Sequence, residues 1–169
     1  MSRKNIYAHH RKSIRLKNYD YAKENLYYIT ICTQNRECIL SKIENNINEL
    51  TSFGQIVKQI CEETIRKYNM KLLNYVIMPN HIHAIIEIYK TNDKQCKSGT
   101  ISDIIREIKS ITTLEYIKGV NNNILPSFNK RIWQRNYYEH IIRNENEYNI
   151  IYMYINNNIL NWQNDKYTL

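Results

Sequence analysis

Apolar and polar residues follow two different periods along this chain, and the changes of period mark its elements. Leu26-Tyr27-Tyr28-Ile29-Thr30-Ile31-Cys32-Thr33 concentrates aromatic and β-branched side chains over a strand's length. Residues 35–50 hold no sustained period and read as a loop or short irregular segment. From 51 to 68 the set Ile56, Val57, Ile60, Cys61, Thr64 and Ile65 returns at helical spacing, which predicts an amphipathic helix with Thr51 or Ser52 as N-cap. Residues 72–78 read as a second strand, and Pro79-Asn80 is a tight junction into a third, 81–88. In that third strand alternate side chains share a face. Ile82, Ala84, Ile86 and Ile88 form a core stripe, while His81 and His83 project together from the other side.

Residues 90–99 make a polar connection, after which Ser102 is expected to cap a second helix to about Lys118, with Gly119 stopping it. Residues 121–130 read as loop and 137–143 as a fourth strand. Asn144 caps a last helix whose first turn holds Glu145 and Glu147, where the helix dipole favours acids. Tyr148, Ile151, Tyr152, Ile155 and Ile159 form its expected packing stripe. The order β-α-β-β-α-β-α predicts an α+β fold, a ferredoxin-like four-stranded antiparallel sheet with helices on one face, in a single domain over 1–169.

Composition narrows the classes. At 43% hydrophobic and 24% charged, the 169 residues can bury a core, yet no apolar run approaches the ~20 residues of a membrane span. The start, Met1-Ser2-Arg3-Lys4-Asn5, is polar, so the expected location is cytoplasmic. Cys32, Cys38, Cys61 and Cys96 are scattered, without the paired spacing of a zinc knuckle or disulfide scaffold. The net charge of +8 favours a polyanionic partner, and residues 1–20 form a basic arm.

The chemistry starts from the histidines. Two neutral imidazoles on one strand face supply half a site for a divalent metal. On the last helix Tyr154 and Asn158, four residues apart, share a strip one turn above the other. A phenolate can act as a nucleophile, and an amide oxygen can be a metal ligand. Tyr152 lies about 200° around the helix from Tyr154, so the two cannot address one ion.

Pro79-Asn80-His81-Ile82-His83 resembles the His-hydrophobic-His motif of the single-tyrosine HUH endonucleases, specifically the insertion-sequence transposases and their REP-associated tyrosine transposase branch. Four further stretches agree in order and spacing: Arg11-Lys12-Ser13-Ile14-Arg15-Leu16, Tyr28-Ile29-Thr30-Ile31-Cys32-Thr33, the run from Trp133 to Asn144, and Tyr154-Ile155-Asn156-Asn157-Asn158. The resemblance covers nearly the whole chain. It implies a transposase that cleaves and rejoins single-stranded, hairpin-containing DNA through a 5′-phosphotyrosine on Tyr154. It also implies Mg²⁺ or Mn²⁺ held by His81, His83 and Asn158, in a monomer or homodimer. Ile159 stands where relatives carry proline, which implies a longer or differently finished helix end.

Arg15, Lys109, Arg131, Arg135 and Arg143 are the expected DNA-phosphate contacts, and Trp133 is an expected stacking residue for an unpaired base. His140 alternates on the fourth strand, with a structural or DNA-contact role set against metal binding. The opposing class is a non-catalytic single-stranded nucleic-acid-binding domain of ferredoxin-like fold, but no Gly-Phe-Gly-Phe-like platform occurs. A histidine-triad hydrolase would need histidine at Ile85.

Overall fold

A computed structural model describes residues 25–68, 70–89 and 97–168, so Arg15 and the basic arm lie outside the described residues. In chain order the elements are β1 (Asn25–Cys32), β2 (Ser41–Glu44), β3 (Ile47–Leu50), α1 (Ser52–Lys67), β4 (Met70–Ile77), β5 (His81–Ile88), α2 (Ile101–Asn121), β6 (Tyr138–Ile142) and α3 (Glu145–Asn157). Four strands order as β4-β5-β1-β6, every neighbouring pair antiparallel. This is the ferredoxin-like sheet that the element order predicts, and it puts the histidine strand at the centre.

The sheet has two unlike faces. On one, Tyr27, Ile29 and Ile31 of β1 and the Ile82, Ala84, Ile86 and Ile88 stripe of β5 pack against Phe53, Val57, Cys61 and Ile65 of α1 and Ile101, Ile104, Ile105 and Ile108 of α2. Helical and strand periods meet there, and apolar burial of this kind contributes roughly 1.5–3 kcal/mol per large side chain. On the other face Tyr28, Val76, Met78, Ile85 and Ile142 meet Ile155 of α3. The two crossover helices thus lie on one side, as expected, and α3 is added on the opposite side with the histidines.

Four local readings change. Residues 41–50 are a β2–β3 hairpin rather than loop, closed by Asn45 and Asn46 at φ 51° and 64°. A two-residue hairpin turn needs that left-handed backbone, and asparagine tolerates it better than most residues. The α2 cap is Thr100, in a capping box with Asp103, and not Ser102. Gly119 lies inside the helix. A Cβ there would come within 2.6 Å of a Leu125 methyl, so the glycine permits close packing and does not end the helix. Tyr152 also leaves the packing stripe of α3 and is exposed, whereas Ile155 is buried and Tyr148, Ile151 and Ile159 pack around it.

The α1 cap is Thr51, whose side chain accepts from the Gly54 N–H, and the α3 cap is Asn144, which accepts from the Glu147 N–H. Past α3 the backbone keeps turning. Asn158 stays in the right-handed helical region, and the chain runs on into a short helical turn at Trp162–Asn164. A proline at 159 would disfavour that conformation at Asn158, so Ile159 is compatible with the extended finish.

Candidate active site

Strand pairing builds the site from its floor upward. His81 lies opposite Cys32 and His83 opposite Thr30, and both imidazoles are 0% exposed. Asn80 Oδ1 lies 2.8 Å from His81 Nδ1, and the hydroxyls of Tyr28 and Thr30 each lie 2.8 Å from His83 Nδ1. In the tautomer that donates from Nδ1, each ring keeps its Nε2 lone pair for a ligand. Burial holds both imidazoles below their ordinary pKa; Asp165 partly offsets this for His81, while His81 and Lys166 reinforce it for His83. Both are therefore neutral at neutral pH, the form that binds metal.

Across from them, α3 delivers Tyr154. Its hydroxyl lies 3.3 Å from His83 Nε2, and the two ring centroids are 5.2 Å apart. Burial, followed by the Asp165 carboxylate, pushes the phenol above its usual pKa, so it is protonated at neutral pH. One turn on, Asn158 is buried, and its amide oxygen and nitrogen have no hydrogen-bond partner among the described residues; the same holds for His81 Nε2. A buried polar atom without a partner costs about 1–3 kcal/mol. Ligand-type atoms left bare beside a neutral imidazole pair fit a divalent ion of the kind the resemblance implies.

Asp165 was not singled out by the sequence pattern. One of its carboxylate oxygens and a ring nitrogen of each histidine all lie within 4.8 Å of one another, a spacing that can hold a metal. Its Oδ2 also accepts from the Tyr154 hydroxyl at 3.4 Å. An acidic residue in an aperiodic stretch carries no local signal; only the return of the chain after α3 brings it here. Arg36, whose positive charge adds to the lowering of the His81 pKa, also stands in an aperiodic stretch. Tyr28 and Thr30 could have been found, because hydroxyls at alternate positions of an apolar strand mark one polar face.

The remaining expected residues divide. Lys109 donates from Nζ to the carbonyls of Gln134, Asn136 and Arg135 at 2.8, 3.1 and 3.4 Å, so it ties down the 134–136 backbone instead of standing free for phosphate. Trp133 is 4% exposed and its indole N–H donates to Thr112. The ring faces the core, which corrects its expected place under a base. Arg131, Arg135 and Arg143 are exposed. His140 Nε2 lies 2.6 Å from Glu147, whose other oxygen accepts the Arg143 N–H, so this pair clamps the start of α3 to β6.

Comparison with known proteins bears on the family and the fold. The family described as Transposase IS200 like matches residues 22–158. An uncharacterised protein of Haemophilus influenzae is 41% identical over 179 residues, covering 96% of this chain and 95% of the relative. A second protein of that organism, named as a REP-associated tyrosine transposase, is 29% identical over 157 residues, covering 83% and 76%. Among solved structures, a REP-associated tyrosine transposase bound to a REP hairpin superposes with a TM-score of 0.60 at 21% identity, covering 88% of this chain and 74% of that one. A transposase structure from Deinococcus radiodurans gives 0.51 at 17% identity, covering 85% and 95%. Among the described residues, no helix is long and apolar enough to cross a membrane.

Proposed function

The chain belongs to the IS200-like transposase family, and from that premise we propose that it cleaves and rejoins single-stranded DNA through a covalent link to Tyr154. The observation that carries the reading is the Tyr154 hydroxyl 3.3 Å from His83 Nε2. The phenolic oxygen attacks the scissile phosphorus, the bond to the 3′ oxygen breaks, and that oxygen leaves with a proton as a free 3′-hydroxyl. The 5′-phosphotyrosine stores the phosphodiester energy, so the reverse attack rejoins a strand without an external energy source. A divalent ion, Mg²⁺ or Mn²⁺, would be held by His81 and His83 with Asn158, and would supply Lewis-acid polarisation of the phosphate.

These three ligands are neutral, which leaves the ion's full charge for the incoming phosphate; a carboxylate such as Asp165 in the same place would spend part of it. The nucleophile and both histidines belong to one chain, so cleavage on this reading needs no partner chain. A hairpin substrate is taken from the structural neighbour that is bound to one.

The test is incubation of the protein with a labelled single-stranded hairpin oligonucleotide and Mn²⁺. A covalent protein–DNA band on a denaturing gel is expected, and Tyr154→Phe loses the band while retaining the gel shift. A band that survives in Tyr154→Phe sinks the assignment; a shift with no band from the unaltered protein supports a binding module instead.

A further inference from the structure

The edge strand beside β5 changes face partway along. In β4, Met70 and Leu72 pair with Ile88 and Ile86 and share their side, toward α1 and α2. Leu73 is an extra residue: the register passes from Leu72 opposite Ile86 straight to Asn74 opposite Ile85, a β-bulge. Directly paired residues share a face, so beyond the bulge Asn74 and Val76 stand with Ile85 and His83, toward α3. In unbroken alternation Asn74 would have followed Leu72 to the other side. One inserted residue therefore brings an amide to the helix that carries Tyr154.

That amide is bonded to α3. Asn74 Nδ2 donates to Asn156 Oδ1 at 3.1 Å and to the Tyr152 carbonyl at 3.4 Å. A carbonyl only accepts, so it is the nitrogen end of the Asn74 amide that faces the helix. On a 3.6-residue turn Tyr152 and Asn156 lie about 40° apart and roughly 160–200° around from Tyr154, with Ile155 between the two sides. Ile155 is the one residue of α3 that is buried, so the helix rests on a narrow ridge with Asn74 on one flank and Tyr154 on the other. Glu147, about 20° from Tyr154 around the axis, is tied to His140 of β6 on the flank away from Asn74. Two stays on opposite flanks fix the roll of the helix. With Cα atoms about 2.3 Å from the axis and the phenol oxygen roughly 6.5 Å farther out, a roll of about 10° moves that oxygen by about 1.5 Å.

We infer that Asn74 is a positioning residue for the proposed reaction: from the edge strand it sets the roll of α3, and through it the placement of the Tyr154 hydroxyl beside His83 Nε2. This rests on the reading of Tyr154 as the nucleophile and adds a residue that acts only through the helix. Misplacing a reacting atom by about 1 Å costs up to about 10²-fold in rate. A freed roll therefore slows the attack on phosphorus and leaves the hold on DNA unchanged.

The experiment measures single-turnover adduct formation by the full chain on a labelled single-stranded hairpin oligonucleotide with Mn²⁺, across DNA concentrations. Fluorine NMR of the chain carrying 3-fluorotyrosine at position 154 reads the ring's surroundings without any reaction. Asn74→Leu is expected to lower the maximal rate about tenfold, to keep the half-saturating DNA concentration within about twofold, and to shift or broaden the fluorine line. Asn156→Leu leaves the Tyr152 carbonyl in place and is expected to lose about threefold, and the double variant no more than Asn74→Leu alone. Asn156→Asp keeps the acceptor and is expected to stay within about twofold of the unaltered chain. A maximal rate that Asn74→Leu leaves unchanged overturns the inference while the cleavage reading stands. So does a loss confined to the half-saturating concentration, or a double variant that loses the product of the two single effects. With no adduct from the unaltered protein the cleavage reading falls, and the fluorine line decides the rest: a line moved by Asn74→Leu keeps the tie, and an unmoved line removes it as well.

Discussion

The two faces of the central sheet are built on different terms. Against α1 and α2, nearly every β1 and β5 side chain is apolar and touches another apolar group. Against α3, the same two strands present Tyr28, Thr30, His81 and His83, polar groups buried among one another, with His81 Nε2 and the Asn158 amide lacking partners among the described residues. One face lowers the free energy of folding, and the other keeps reactive groups dry and oriented. A fold can carry the second because the first supplies a surplus.

That contrast can be broken in order of size. On the proposed reaction, His83→Gln should cut the rate of covalent adduct formation by at least about 10³-fold, with a smaller fall in melting temperature than a core variant's because glutamine keeps a polar group for Tyr28 and Thr30. A melting temperature that drops as far as a core variant's would make the histidine face structural as well. Ile86→Ala is the mirror case. It should destabilise by about 2–5 kcal/mol in denaturant titration while leaving Mn²⁺ affinity alone. Thr30→Val keeps the shape but removes a hydroxyl from His83 Nδ1, and should weaken Mn²⁺ binding by about 10-fold to 100-fold.

The smallest effect is on pH. Burial holds His81 at about 4, below its ordinary 6.5. Between those values the unfolded chain binds a proton that the folded chain refuses, so stability is full above the ordinary value and declines as the pH falls toward 4. His81→Gln should lessen that slope in thermal melts taken across the range without abolishing it, because burial holds His83 below its ordinary value as well.

Legibility followed the same division. Alternation in β5 told which residues face the helices and which present imidazoles, and helical spacing located α1 and the core side of α2, because apolar burial repeats with the backbone. The four-residue strands of the β2–β3 hairpin are too short for a period to emerge, although Asn45-Asn46 was a turn signal available to be read. Asp165 reaches the histidines, and Arg36 the Lys166 carbonyl beside them, only through long-range folding, and nothing in their neighbours' spacing marks them. Trp133 shows the limit of residue type. A tryptophan among arginines suggests a stacking surface, yet its indole N–H found Thr112 inside the core.

Asn80 holds one more consequence. Its oxygen steers the His81 ring, while its nitrogen grips the carbonyls of Arg36 and Tyr167. Orientation of the imidazole and anchorage of the loop and tail therefore hang on opposite ends of a single amide. Aspartate at 80 would keep the acceptor that faces the imidazole and lose the donor that faces the two carbonyls, so a change of one atom separates the two duties.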